Sequence, residues 1–141
     1  MVADAGADYI FGSHSHCPQH YDIIPTEDGR KVPVIYSGGN FLSDNNLKPP
    51  ITTDSLIGQL TLARDTNGHV TIKREEFIPC RILQGRQFQG FTRTVPCELL
   101  KHDAENYGPL KAAEDIQRIQ WTMGKQYPMK RLVKDQTVNN R

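Results

Sequence analysis

The sequence has few cysteines and no C-x-x-C pair. Its three cysteines, Cys17, Cys80 and Cys97, are odd in number and lie far apart. This spacing indicates neither a disulfide scaffold nor a cysteine-rich zinc site. At least one thiol has to stay unpaired within a monomer.

Long apolar runs and an excess of charge of one sign are also missing. No stretch approaches the length of a membrane span, and residues 1–6 lack the basic and hydrophobic regions of a secretory signal. The formal net charge of +1 argues against nucleic acid or an anionic membrane as a partner. With 141 residues, of which 37% are hydrophobic and 23% charged, the chain has the composition of one ordinary globular domain.

One segment carries the residue types that chemistry needs. An apolar run at residues 9–11 leads into Gly12 and then into His14 and His16, two imidazoles two residues apart. A glycine allows the chain to turn sharply at the end of a strand, and both rings can then point into one cleft. Neutral imidazoles are common metal ligands, so this loop predicts a metal site. Surface or hydrogen-bonded core histidines are the alternative.

Hydrophobic periodicity predicts a strand-rich first half and helices near the end of the chain. Turns are predicted at Glu27–Gly29 and at Asn67–Gly68, the latter as the tip of a hairpin whose second strand has Val70, Ile72 and Phe77 as its apolar set. The predicted strands are residues 9–12, 20–25, 31–37, 55–63 and 69–78, and the predicted helices are residues 98–106 and 110–123.

The sequence also predicts loops, a constraint on one strand and the buried face of the last helix. Residues 43–50 are predicted to form an exposed loop, and residues 80–95 to be irregular. Pro33 indicates either an edge strand or an amide position that faces away from the neighbouring strand. One helical stripe is predicted to pack inward, and the tail from Lys125 onward to be solvated; the stripe consists of Ala112, Ile116, Ile119 and Met123. Residues 3–8 read as the last turn of a helix, so we expect a longer polypeptide.

Two segments carry a family resemblance. Residues 5–16 with Gln19, followed by residues 33–41, resemble the carboxy-terminal part of bacterial capsule synthesis proteins of the CapA (poly-gamma-glutamate synthesis) family. That family is similar to the calcineurin-like metallophosphoesterases. The resemblance continues through the hairpin to Ile78 and Pro79, and it joins two motifs in the right order at a plausible spacing.

The resemblance implies an α+β (α/β) fold, the carboxy-terminal part of a four-layer αββα sandwich. Residues 1–96 are expected to belong to it, with residues 97–141 packed on it as helices and a basic tail. It also implies that His14 and His16 bind the two divalent ions of a two-metal centre, with manganese, zinc and iron all open. The remaining ligands are expected to precede Met1.

Three further residues are candidates for substrate binding. Tyr36, Ser37 and Asn40 lie on a glycine-containing segment that can reach the same edge, and Asn40 ranks first. The alternative is that they satisfy the turn at a strand end. A compact zinc site is disfavoured, because four ligands within seven residues cannot easily surround one ion; its ligands would be His14, His16, Cys17 and His20.

The resulting hypothesis is a segment of a CapA-like, metal-dependent, phosphoesterase-type hydrolase associated with capsule or poly-gamma-glutamate synthesis. Its expected partners are the missing amino-terminal part of the same domain and a small-molecule or polymer ester, with no nucleic acid, and the resemblance suggests the cell envelope as location. No residue here is assigned a catalytic role, and the segment alone is expected to be inactive. Open edges and apolar faces predict self-association of the chain when it is expressed alone. The alternative is a non-catalytic accessory module that binds a partner.

Overall fold

A computed structural model describes residues 1–43, 50–84, 92–124, 127, 129, 130 and 132. The fold is mixed α+β, as predicted, with strands in the first part and helices near the end. The elements are β1 (Ile10–Phe11), β2 (Tyr21–Pro25), β3 (Lys31–Ile35), a 3-10 helix (Ile51–Thr53), β4 (Asp54–Arg64), β5 (Val70–Leu83), β6 (Arg93–Pro96), α1 (Cys97–Leu100) and α2 (Pro109–Met123).

The first sheet has the strand order β1-β3-β2. Strand β1 pairs with β3 in parallel, so that Ile10 lies opposite Val34, whereas β2 and β3 form an antiparallel hairpin. The predicted turn at Glu27–Gly29 is confirmed, and Gly29 has the positive φ of 85° that this turn requires. The sheet therefore brings the end of β1 next to the end of β3.

Pro33 lies in the central strand of this sheet, so the edge-strand interpretation is wrong. The Tyr36 amide donates to the His20 carbonyl, and hydrogen-bonded pairs alternate along an antiparallel ladder. Pro33, which lies opposite Ile23, therefore falls on a position that makes no hydrogen bond to β2. The second interpretation, an amide position facing away from its neighbour, fits this register.

The second sheet has the order β4-β5-β6 and contains the predicted hairpin. The turn at residues 66–68 is confirmed, and Gly68 has a φ of 89°. A bulge between Thr61 and Leu62 shifts the register near the tip. Val70 lies beyond this bulge and is exposed, so its assignment to the apolar set is wrong, whereas Phe77 is completely buried.

Residues 80–95 are more regular than predicted. Strand β5 continues to Leu83, and β6 pairs with it so that Cys80 lies opposite Pro96. The prediction of irregular structure is therefore wrong for both strands. Residues 76–83 are all buried, which removes the alternating pattern that identifies a strand. Residues 85–91 of the same prediction, residues 44–49 of the predicted loop and most of the tail lie outside the described residues.

The first predicted helix is shorter than expected, since α1 ends at Leu100 and turns follow over residues 101–107. The carboxylate of Asp103 accepts from the backbone and side-chain nitrogens of Asn106, and such local bonds compete with a helix. The second helix is confirmed. So is its inward stripe: Ala112, Ile119 and Met123 are at most 1% exposed, and Ile116 packs against the core.

The main core lies where α2 and both sheets meet. It joins one residue each from β2, β3, β4 and β5 to α1 and α2. Its members are Tyr21, Ile35, Leu56, Phe77, Cys97, Ile119 and Met123. None of the helices in the described part of the chain is long and apolar enough to span a membrane.

A buried ionic cluster ties α2 to the start of β4. Asp54 accepts hydrogen bonds from Nη1 of Arg81 at 2.6 Å and from Nε of Arg118 at 2.6 Å. Asp115 bonds to Arg118 and to the hydroxyl of Tyr107. The carboxylates of Asp54 and Asp115 are nearly inaccessible, and charges buried this deeply are tolerated only when paired.

Candidate metal centre

The loop that follows β1 is held by close backbone contacts. Gly12 donates to the Ile35 carbonyl at 2.7 Å, and Gly38 donates to the Gly12 carbonyl at 3.2 Å. A Cβ at Gly12 would lie only 2.2 Å from the Tyr36 carbonyl oxygen. A side chain cannot fit there, so glycine is required for the loop to leave the sheet at this point.

The end of β3 continues into a second tight segment. Gly39 has a φ of 78° and donates to the hydroxyl of Ser37 at 3.1 Å. Gly39 also forms an isolated bridge to Ser55 at the start of β4, and the Ser55 hydroxyl bonds to the carbonyl of Asn40. The segment that carries Asn40 is thereby attached to the second sheet.

His14 and His16 both have unusual backbone conformations. Their φ angles are 99° and 60°, and they are the two non-glycine residues with positive φ in the described chain. Positive φ is uncommon for residues with a Cβ and costs free energy, and such strain is concentrated at functional sites. Both side chains are exposed, and their ring centroids lie 6.5 Å apart.

Asn40 binds His16 through both ends of its amide. Its Oδ1 lies 2.7 Å from Nδ1 of His16, and its Nδ2 donates to the His16 carbonyl at 3.2 Å. Nδ2 also donates to the carbonyl of Thr52 at 3.1 Å. The loop with the two histidines and the segment with Asn40, which are connected in the sequence only by the family resemblance, are therefore in direct contact.

The other candidate residues lie nearby with different surroundings. Ser37 is completely buried, and its hydroxyl supports the turn. Tyr36 is partly exposed, and its ring packs on that of His20 with centroids 4.5 Å apart. Two residues of the disfavoured compact zinc site have other contacts. The ring of His20 packs on Tyr36, and the main-chain carbonyl of Cys17 accepts a hydrogen bond from the hydroxyl of Ser15 at 2.9 Å.

A shared carboxylate fixes the strands on which this loop rests. Glu75 of β5 accepts hydrogen bonds from the hydroxyl of Tyr9 at 2.5 Å and from that of Tyr21 at 2.8 Å. Burial, followed by the hydrogen bond to this carboxylate, raises the pKa of both tyrosines. Both hydroxyls therefore stay protonated as donors, and they connect the flanks of the loop to the second sheet.

Imidazoles are a side-chain type in this loop that can bind a metal ion. Among the described residues, no three His, Cys, Asp or Glu side chains are grouped so that they could hold an ion. The described part of the loop therefore offers two imidazoles, with centroids 6.5 Å apart, and no complete set of metal ligands.

Two contacts to this site were not predicted from the sequence. Thr52 contributes its main-chain carbonyl to Asn40, and Ser55 contributes its hydroxyl. A main-chain carbonyl leaves no signal in the residue type. The role of Ser55 depends on its bridge to Gly39, a pairing between segments that are distant in sequence.

Comparison with known proteins agrees with these motifs. Residues 1–45 match the family model of the bacterial capsule synthesis protein PGA_cap. The match contains the loop with both histidines and the segment with Asn40, and it confirms the resemblance to capsule synthesis proteins over those residues. It associates the chain with capsule synthesis, and it ends before β4. No curated protein and no solved structure matches the chain.

Proposed function

We propose that this chain supplies two histidine ligands to the two-metal centre of a phosphoesterase-type hydrolase in capsule or poly-gamma-glutamate synthesis. The observation that supports the proposal most strongly is the placement of His14 and His16. Both are exposed on a loop that glycine contacts hold in a strained conformation, and the loop lies within the segment that matches PGA_cap.

The roles of the residues follow from their chemistry. His14 and His16 hold and place divalent ions, and neither has to transfer a proton. Manganese, zinc or iron at such a pair supplies a hydroxide nucleophile at neutral pH and neutralises charge on a phosphoester. Tyr36 presents a partly exposed ring near this edge, and it is our candidate for contact with an ester substrate.

Two imidazoles are fewer ligands than a bound ion needs, since even catalytic zinc sites use three protein ligands. We therefore propose that the other ligands come from polypeptide outside this sequence, which completes a four-layer sandwich around both sheets. The two three-stranded sheets with a shared core are compatible with the inner layers of that arrangement. On this proposal the segment alone has no hydrolase activity.

The direct experiment uses the complete polypeptide that carries this segment. Manganese or zinc is titrated by calorimetry, and cleavage of bis(p-nitrophenyl) phosphate is followed by absorbance. We expect two bound equivalents and turnover in the wild type, and loss of both in the double variant His14→Ala/His16→Ala. The matched control, His69→Ala/His102→Ala, removes two other exposed imidazoles and should change neither. Full activity in the first double variant would overturn the proposal.

A second candidate function is a non-catalytic module that binds a partner through the first sheet. It is favoured by an apolar groove of about 370 Å³ beside the loop. The groove is lined by Met1, Val2, Ala3, Ile10, Gly12, Ile24, Val34, Ile35 and Tyr36. In that case partner binding persists in the His14→Ala/His16→Ala variant, and no turnover is seen in the wild type.

A further inference from the structure

The contact between Asn40 and His16 determines more than the position of the ring. A neutral imidazole carries one N–H and one lone pair, and the two nitrogens exchange these roles between tautomers. A metal can be bound only by the nitrogen that carries the lone pair. The tautomer of His16 therefore decides which of its nitrogens is a ligand.

The amide orientation of Asn40 is fixed by its neighbours. One end of the amide faces two carbonyl oxygens, those of His16 and Thr52, at 3.2 and 3.1 Å. Carbonyl oxygens only accept hydrogen bonds, so the nitrogen of the amide has to be at this end. The other end, which faces Nδ1 of His16 at 2.7 Å, is then the oxygen Oδ1, and Oδ1 only accepts.

It follows that Nδ1 of His16 has to be the donor in this contact. We infer that Asn40 is a positioning residue that holds His16 in the Nδ1–H tautomer, so that Nε2 carries the lone pair for a divalent cation. Metal-binding histidines commonly donate their second nitrogen to an acceptor in this way. The inference assigns to Asn40 a role different from substrate binding. It rests on the proposed function only for the identity of the ligand that Nε2 takes.

Asn40 can fulfil this role because its own segment is anchored. The Ser55 hydroxyl bonds to its main-chain carbonyl, and Gly39 forms a bridge to Ser55. These contacts do not involve the amide group of Asn40. Truncation of the Asn40 side chain therefore removes the acceptor for His16 while the attachment of the segment to β4 is kept.

The test reads the tautomer directly. Long-range ¹H–¹⁵N correlation of the labelled chain at about pH 8, where an ordinary imidazole is neutral, shows which ring nitrogen carries the proton. We expect the Nδ1–H form for His16 in the wild type. In Asn40→Ala the signals should move to the tautomer mixture of exposed His102. The control Asn106→Ala should leave the Nδ1–H form of His16 unchanged.

An Nε2–H form of His16 in the wild type would overturn the inference, and so would an unchanged Nδ1–H form in Asn40→Ala. A zinc titration of the complete polypeptide that carries this segment, followed on the same ring signals, separates this inference from the proposed function. If zinc binds, Asn40→Ala should weaken its effect on His16 by about 10–100-fold. If zinc leaves the wild-type rings unchanged while the tautomer responds to Asn40→Ala as expected, metal binding by His14 and His16 fails and the positioning role of Asn40 stands.

Discussion

The carboxylate of Asp54 accepts two hydrogen bonds from the guanidinium of Arg118, which is 64 residues later in the sequence, at 2.6 and 2.7 Å. Asp54 is the first residue of β4, and Arg118 lies in α2. The next residue, Ser55, bonds to the main chain of Asn40. The helix near the end of the chain is thus connected to the segment that supports His16.

Removal of Arg118 should destabilise the fold. In Arg118→Met the buried carboxylates of Asp54 and Asp115 lose a charged partner, and a broken buried pair costs about 3–5 kcal/mol. Because Arg118 is one third exposed and Arg81 still bonds to Asp54, we expect the lower end, about 3 kcal/mol. The measurement is urea unfolding followed by circular dichroism.

The matched control for this prediction is Arg64→Met. Arg64 is an exposed arginine at the end of β4, and surface substitutions usually change stability by less than about 0.5 kcal/mol. Equal unfolding midpoints for the two variants would show that the ionic cluster does not contribute to stability.

Gly12→Ala tests the close approach of the loop to β3. The added Cβ would collide with the main-chain carbonyl of Tyr36, and neither backbone can move without breaking the Gly12–Ile35 hydrogen bond. We expect a loss of about 3 kcal/mol and altered ring signals of His14 and His16 in NMR spectra.

Gly108→Ala is the control for the glycine experiment. Gly108 has a φ of 91° with nothing within 4 Å of an added Cβ, so this variant adds backbone strain alone, at about 1 kcal/mol. It should leave the histidine signals in place. A Gly12→Ala chain as stable as Gly108→Ala, with unshifted histidine signals, would contradict the geometry of the loop.

The buried thiols predict a loss of stability in alkali. Burial raises the pKa of Cys80 from 9.0 to about 12 and also raises the pKa of Cys97. A raised pKa means that the folded state keeps each thiol protonated where the unfolded state loses the proton. The free energy of unfolding is therefore unaffected by these thiols below about pH 9, and it falls above that value by roughly 1 kcal/mol per pH unit for each thiol.

The thiol prediction is measured as the free energy of unfolding between about pH 8 and pH 10. Cys80→Ala should reduce the slope with pH, whatever its effect on absolute stability. Cys17→Ala changes a thiol that is only half-buried and should leave the slope as it is. An unchanged slope in Cys80→Ala would be inconsistent with the burial of that thiol.

The apolar groove predicts self-association of the isolated chain. Ile24 lies in this groove on the first sheet, so Ile24→Lys should shift the chain toward monomer because a charge opposes apolar contact. Leu110→Lys is the control, since Leu110 is the most exposed large apolar residue of α2. Analytical ultracentrifugation over a range of concentrations distinguishes the variants. A monomeric wild type with one sharp melting transition would argue against the prediction.

The hairpin and the second helix were predictable because turn residues and hydrophobic periodicity within one segment determine them. The Asn67–Gly68 turn and the alternation around it were sufficient for the hairpin, and the helical stripe that ends at Met123 was sufficient for α2. The extension of β5 and the existence of β6 were missed. The end of β5 is buried throughout, and β6 has four residues, so neither leaves a periodic signal in the sequence.

The candidate site was predictable in its residue types and less so in its contacts. The two histidines after Gly12 were identifiable because imidazoles on a glycine-turned loop favour a metal. Substrate binding by Asn40 stays a prediction, and the contact of its amide with His16 and Thr52 is not visible in the sequence. That contact depends on the pairing of segments that the sequence does not show, such as the bridge between Gly39 and Ser55.

Zinc titration of the labelled complete polypeptide that carries this segment, followed at the five histidine rings of the segment, tests the central claim most directly. We predict that the ring signals of His14 and His16 shift together at the lowest zinc concentrations, before those of His20, His69 and His102. Equal or later shifts of His14 and His16 compared with the other three would contradict it.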